Sequence, residues 1–340
     1  MYARMLPHWV FELEVVDGSR NRSMRYHELC PRTPVLFFNH YWGGLREDPA
    51  WPATKPLFLM PNIEMFELEA THYWQADTIL CKTAVCFEYL TKWFDQYGNT
   101  KLTQVLYTRH TSSDVTLDRG EETSSDRLAS ALSFVHTAGT SPYKGTNNVL
   151  GCWLHRPDLP MLHLYISDEL YNRDFRKVYD KAIRQRRNIA LHLGTLENAA
   201  FGQLITRTEL FLCPSLMEGY GHYINQVRAR GGLVLTPDAP PMNELITPSS
   251  GVVIPAERRG MRQQLLGGES TSAFALRNVS GFVAWFDAKG LCAAVDRTLN
   301  ELSVNERNRR GQRARQQYYY DTAFFAMTMK NLRAKLVPTD

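Results

Sequence analysis

No long apolar run occurs in the sequence. Residues 1–16 are interrupted by His8, Glu12 and Glu14, so they have neither the unbroken centre of a secretion signal nor the ~20 apolar residues of a membrane-crossing helix. Also missing are a Cys-x-x-Cys pair and a Cys/His spacing of the zinc-binding kind. The six cysteines, Cys30, Cys81, Cys86, Cys152, Cys213 and Cys292, are scattered, mostly in apolar runs, and read as buried thiols of a reducing compartment. There is no Asp-x-Asp pair suited to a divalent metal, no low-complexity tract and no repeat of fixed period, which excludes solenoids and disordered chains. Charge of one sign is lacking too: 39 basic against 35 acidic residues leave +4, dispersed, which argues against nucleic acid and is compatible with a small anionic ligand. What remains has the composition of an ordinary globular protein, and 340 residues favour two domains. The expectation is a soluble cytoplasmic protein with no membrane span; peripheral membrane contact is left open.

Residues 1–125 alternate short apolar strands with turn chemistry. Strands are expected at 9–16, 35–38, 57–59, 78–81 and 104–107, with a helical stripe of Phe87, Leu90, Trp93 and Phe94 between them. Such alternation implies a parallel sheet covered on both faces, here a short Rossmann-like domain. Two fragments follow strands directly, where ligands of α/β sheets collect: Asn39-His40-Tyr41-Trp42 and Pro61-Asn62-Ile63-Glu64. His40 is a candidate catalytic side chain, although a turn histidine satisfied by backbone has the same signature. The polar stretch 117–127 reads as a linker.

After it the chemistry becomes sharper. A strand at 131–136 leads through Gly139-Thr140-Ser141-Pro142-Tyr143-Lys144-Gly145 into a helix with Val149, Leu150, Trp153 and Leu154 on one face. Gly139 permits close backbone approach, Thr140 and Ser141 bring hydroxyls, and Lys144 adds a positive point charge, which together suit a diphosphate. Strands at 162–166 and 188–193, the latter ending at Gly194, flank a basic amphipathic helix at 171–187. A further strand, 209–213, is ended by Pro214 and turns through Glu218-Gly219-Tyr220-Gly221 into a helix at 222–230 that stops at Gly231-Gly232. The two glycines expose amide N–H groups at a helix start, a favourable place for an anion. A buried-type strand, 233–236, precedes a turn bearing Glu244 and a strand at 251–254. In a doubly wound domain the phosphate turn, Gly194, Glu218 and Glu244 all fall on the carboxyl side of their strands. Residues 257–280 read as a surface insertion. Asp287 and Ser303 read as helix caps, and Phe325, Met329 and Leu332 as one stripe of a last helix after Tyr318-Tyr319-Tyr320.

The order Pro214-Ser215-x-x-Glu218-Gly219-Tyr220-Gly221, helix, Gly231-Gly232, apolar strand, then Thr236, Ala239-Pro240, Glu244-Leu245 and Gly251-Val252-x-Ile254-Pro255 resembles a known pattern. It is that of the donor-binding domain of family-4 type retaining, nucleotide-sugar-dependent glycosyltransferases of the GT-B fold, and the resemblance covers roughly residues 130–300. It implies two Rossmann-like, doubly wound α/β domains facing across a cleft. These would be a short acceptor domain at 1–125, a donor domain at 126–302, and helices at 303–340 that pack back on the first. It also implies a nucleotide-diphospho-sugar donor used as substrate, no cofactor, no metal and retention at the anomeric carbon. The acceptor, whether glycan, protein or lipid, stays open. Glu218 would hold hydroxyls of the donor sugar, while Gly139, Thr140, Ser141 and Lys144 would hold the phosphates. Gly194, Gly219, Tyr220, Gly221 and Glu244 would line the site, with Gln226 at the ribose. Two positions depart from the pattern: Gln226 stands where a second glutamate is expected, and Thr140 where a basic residue follows the glycine. They motivate an alternative, a catalytically weak nucleotide-sugar-binding regulator or scaffold.

Overall fold

A computed structural model of the chain describes residues 14–19, 21–39, 51–52, 54–64, 68–115, 132–260 and 273–336. The chain forms two compact units: Met1–His110 with Arg262–Val279 and Asp321–Asp340, and Thr111–Met261 with Ser280–Tyr320. The expected linker and the boundary at 125 lie largely or wholly outside the described residues, as does His40.

In the first unit, β1 (Glu14–Asp17) and β2 (Arg22–Arg25) pair antiparallel. Strands β3 (Val35–Phe38), β4 (Leu57–Met60), β5 (Thr78–Cys81) and β6 (Gln104–Tyr107) make one parallel sheet in that order. β4 and β5 are buried along their whole length, as central parallel strands must be when both faces are covered. Three helices of this part are α1 (Tyr26–Leu29), α2 (Ala70–Gln75) and α3 (Ala84–Tyr97). In α3, Tyr89, Leu90, Trp93 and Phe94 recur at helical spacing and are all buried, while Thr83 caps the start by accepting from the Cys86 amide. The segment 273–279 corrects the expected surface insertion. Its carbonyls accept from α3, Phe274 from Trp93 Nε1 at 2.7 Å and Ala275 from the Tyr97 hydroxyl at 2.6 Å, and Ala275 and Leu276 are buried.

The second unit carries a six-stranded, wholly parallel sheet in the order β12-β11-β10-β7-β8-β9. Its strands are β7 (Ser133–Gly139), β8 (Met161–Ile166), β9 (Ile189–Leu193), β10 (Leu210–Leu212), β11 (Leu233–Pro237) and β12 (Val252–Ile254). Between them run α4 (Thr146–His155), α5 (Asp168–Leu170), which continues through a wider turn at Tyr171–Phe175 into α6 (Arg176–Arg184), then α7 (Asn198–Arg207), α8 (His222–Arg230) and α9 (Met242–Leu245). A short hairpin, β13 (Glu257–Arg259) with β14 (Val283–Trp285), precedes α10 (Ala288–Asn300), which Asp287 caps through the Gly290 amide. The core is the two inner faces of this sheet against α4, α8 and α10, with Trp153, Phe134, Ile224 and Leu291 fully buried.

Two further findings correct the sequence reading. Cys152 on α4 and Cys292 on α10 are joined in a disulfide, so these two are not thiols, whereas Cys30, Cys81, Cys86 and Cys213 are outside any disulfide. Nothing in the local sequence pairs them, because their approach is made by two helices packing 140 positions apart. The C-terminal part is one helix, α11 (Val304–Leu336), of 33 residues, with no break at the tyrosines. No glycine or proline interrupts it after Gly311. Beyond Tyr320 it belongs to the first unit, where Phe325, Met329 and Leu332 pack with Phe58, Met60 and Leu80 of the sheet.

Candidate functional site

Because every strand of the second sheet is parallel, all carboxyl ends share one edge. From β7 the chain moves outward through β8 and β9, then returns to the other side of β7 for β10, β11 and β12. The reversal lies between β7 and β10, and a doubly wound sheet opens a crevice there because the two following helices depart to opposite faces. After β7 comes the turn of Gly139, Thr140 and Ser141, a single 3₁₀ turn at Pro142–Lys144, and α4; after β10 come Ser215, Glu218 and α8. Both helices therefore begin at the crevice, bringing first-turn amides without intrahelical partners and the positive ends of two helix dipoles.

The two turns are locked together. The Leu216 amide donates to the Tyr143 carbonyl at 2.7 Å. Gly145, at φ 70°, lies so close that a Cβ there would meet the Pro214 carbonyl oxygen at 2.0 Å. Only glycine satisfies both the left-handed backbone and that approach.

Across this junction Lys144 and Glu218 form a direct ion pair, with 20% and 10% of their side chains exposed. Glu218 Oε1 accepts from the Lys144 ammonium and from the Ser215 hydroxyl, the latter at 2.5 Å. Since Ser215 donates to the carboxylate, its 2.5 Å contact with the Tyr223 hydroxyl must be accepted from the phenol. Tyr223 is fully able to donate: burial, with Cys213 and Glu218 adding to it, holds the phenol well above its usual range. Its ring also lies 4.0 Å from the Lys144 nitrogen, a cation–π contact. Among the described residues Glu218 Oε2 has no hydrogen-bond partner, and it is not buried. One oxygen is thus fixed, and the other is open to a ligand hydroxyl.

Behind the pair lies His136 on β7, fully buried. Its Nδ1 is 3.0 Å from the Leu212 carbonyl, to which it can only donate, so Nε2 accepts from the Thr146 hydroxyl at 3.0 Å. Burial, reinforced by the Lys144 charge and opposed by the Leu212 carbonyl, lowers its pKa to about 4. The neutral ring thereby ties β10 to the first residue of α4. Burial likewise pushes the Cys213 thiol up, keeping it protonated and inert.

The remaining sequence candidates are distributed along the same edge. Gly139 and Thr140 are exposed, and Ser141 caps the 3₁₀ turn by accepting from the Tyr143 amide at 3.3 Å. Gly219, Tyr220 and Gly221 are buried between Glu218 and α8, Gly221 at φ 93°. Gln226 is half-buried on α8 and Glu244 half-buried on α9, after β11. Gly194 follows β9, two strands from β7, and its amide donates to the Ile166 carbonyl at 3.0 Å. Ser215, Tyr223, His136 and Thr146 carried no role in the sequence reading. Only the i, i+3 spacing of Ser215 and Glu218 hinted at one. No group of three or more His, Cys, Asp or Glu residues placed to hold a metal ion occurs among the described residues.

Neither a family model nor a curated protein sequence matches the chain. Solved structures do. The pneumococcal O-GlcNAc transferase GtfA, determined with UDP and GlcNAc, is 13% identical with a TM-score of 0.59, over 89% of this chain and 57% of that one. HepE of Anabaena, in complex with UDP, is 14% identical with a TM-score of 0.57, over 82% and 72%. Sucrose-phosphate synthase from Thermosynechococcus elongatus is 12% identical with a TM-score of 0.62, over 92% and 75%. The chain spans little more than half the length of GtfA. At such identities the likeness is one of architecture, and with two Rossmann-like α/β units the chain has the fold of the GT-B glycosyltransferases.

Proposed function

We propose that the protein transfers a hexosyl group from a nucleotide-diphospho-sugar to an acceptor hydroxyl. The observation that carries the reading is the meeting of Lys144 and Glu218 at the reversal of the sheet. Glu218 Oε2 takes hydroxyls of the donor sugar, while the ammonium protons not given to Oε1, with the first-turn amides of α4 and α8, take the diphosphate. In the transfer the bond from the anomeric carbon to the phosphate oxygen breaks and the leaving diphosphate keeps the electron pair. The acceptor oxygen bonds to that carbon and its proton is released. Negative charge grows on the diphosphate, so Lys144 and the oriented amides give most help in the transition state. The reading calls on no metal ion and, with the family pattern, assigns retention. Gly139, Thr140 and Ser141 shape the phosphate turn, Gln226 meets the ribose as an uncharged hydrogen-bonding group, and Gly194 and Glu244 border the crevice. Similarity to proteins determined with UDP supports a nucleotide donor.

No helix among the described residues is long and apolar enough to cross a membrane. A cytoplasmic setting belongs to the proposal, and the Cys152–Cys292 disulfide is the observation that weighs against a strongly reducing one. The test is turnover over a panel of UDP-, GDP- and ADP-sugars. Consumption of one donor that disappears in Glu218→Ala is expected. Binding without turnover would favour the second reading, a nucleotide-sugar-binding regulator, which Gln226 and Thr140 motivate.

A further inference from the structure

The first unit has a second cationic centre, built differently. Lys82 follows β5 directly and is only 6% exposed. Its ammonium donates to Asn39 Oδ1 at 2.8 Å and to Asn62 Oδ1 at 2.6 Å. Asn39 follows β3 and Asn62 lies two residues beyond β4, so three adjacent parallel strands deliver the three side chains to one point of the carboxyl edge. Asn39 adopts φ 65°, a left-handed conformation that asparagine tolerates better than most residues.

The lysine dictates how the amides face. An ammonium has only hydrogens to offer, so each amide turns its oxygen inward and its NH2 group away. Both asparagines are half-buried, and among the described residues neither amide nitrogen has a hydrogen-bond partner or is a buried orphan. The open valences are therefore all donors, four N–H groups in front of a buried positive charge. Helix α3 begins at Ala84, two residues past Lys82, and adds the positive end of its dipole to the same edge. The titratable groups acting on Lys82 are Glu64 and the Cys86 thiol, both favouring the ammonium, but burial outweighs them and lowers its pKa to about 8. The lysine is thus still charged at neutral pH, and among the described residues it has no direct ion pair to cancel it.

We propose that this edge of the first unit binds an oxyanion, a carboxylate or phosphate group of a small molecule, through the amide nitrogens of Asn39 and Asn62 with the Lys82 ammonium behind them. Donors alone suit an acceptor-rich group, and the charge behind them selects an anion over a neutral hydroxyl. The assignment stands whether or not the second unit takes a sugar nucleotide.

The experiment uses the full chain carrying Lys144→Met, which removes the other cationic turn. Thermal stabilisation by inorganic phosphate, by acetate and by neutral glycerol is measured at constant ionic strength, with and without Asn62→Asp. Asn62→Asp keeps an oxygen for Lys82, so the buried ammonium stays satisfied and the fold is retained, which circular dichroism checks. It removes two N–H donors and adds a negative charge. Saturable stabilisation by phosphate or acetate, with the apparent Kd raised about tenfold or more by Asn62→Asp, is the expected result, the preferred anion telling phosphate from carboxylate. The proposal is overturned if neither anion stabilises the parent, if Asn62→Asp leaves the response unchanged, or if glycerol does as well as the anions.

Discussion

Each unit ends a parallel sheet with a lysine, and the two lysines have opposite kinds of company. Lys144 in the second unit touches a carboxylate, Glu218, whose other oxygen is open. Lys82 in the first unit is held by two neutral amides whose nitrogens are open. In the first case the charge is balanced inside the protein and the site offers both an acceptor and donors, as an uncharged sugar joined to a diphosphate requires. In the second the two amides turn only N–H donors outward from the charge, which suits an anion. Similar topology thus offers different recognition chemistry, set by the partners of each lysine: one carboxylate in the second unit and two amides in the first.

The units differ in their fastening as well, and the largest expected effect tests that. Only the second contains the described disulfide, which closes a separation of 140 residues. Cys292→Ser should lower the stability of the second unit by up to about 5 kcal/mol on the chain-entropy account. Amide exchange should report the loss there and leave the protection of β4 and β5 in the first unit unchanged. Equal loss in both would remove the contrast.

Next in size is the chemistry. Glu218→Ala should reduce turnover of the preferred sugar nucleotide about 1,000-fold, in the range found when a group contacting the reacting substrate is lost. Asn62→Asp should leave donor affinity within about twofold, since Asn62 belongs to the first unit while Lys144 and Glu218 belong to the second.

A third difference lies in titration. The folded pKa of His136, about 4, is depressed below its unfolded value of roughly 6.5. Between those values the unfolded chain binds the proton and the folded one does not. Stability present above pH 6.5 is therefore lost as pH falls toward 4, by about 3 kcal/mol for this group. Urea unfolding from pH 7 to 4 should show that slope in the second unit, and His136→Gln should flatten it. The smallest effect is expected for Thr146→Val, which removes one hydrogen bond to that ring and costs about 1 kcal/mol in the same measurement.

How much of this was legible beforehand follows from the range of each signal. The strands 35–38, 78–81 and 104–107 and the helix 222–230 were readable to the residue because apolar runs, Pro214 and Gly231-Gly232 are local marks. Lys144 and Glu218 were each legible from turn chemistry, and their meeting followed from parallel topology. The relay through Ser215 and Tyr223 was not, since it depends on how the turn at Gly219 to Gly221 folds α8 back on the strand end. The disulfide was invisible because packing of α4 on α10, not spacing, makes it. Asn39 and Asn62 were noticed as strand-end residues, yet Lys82, inside an otherwise apolar stretch, gave no sign that it joins them.

The most direct test is a titration of the preferred sugar nucleotide into the parent protein, Glu218→Gln, Lys144→Met and the double variant, each followed by calorimetry. The account predicts that either single substitution weakens binding about tenfold or more, and that the double variant loses clearly less than the two losses combined, because the pair grips one ligand. Equal affinity across all four proteins would contradict it.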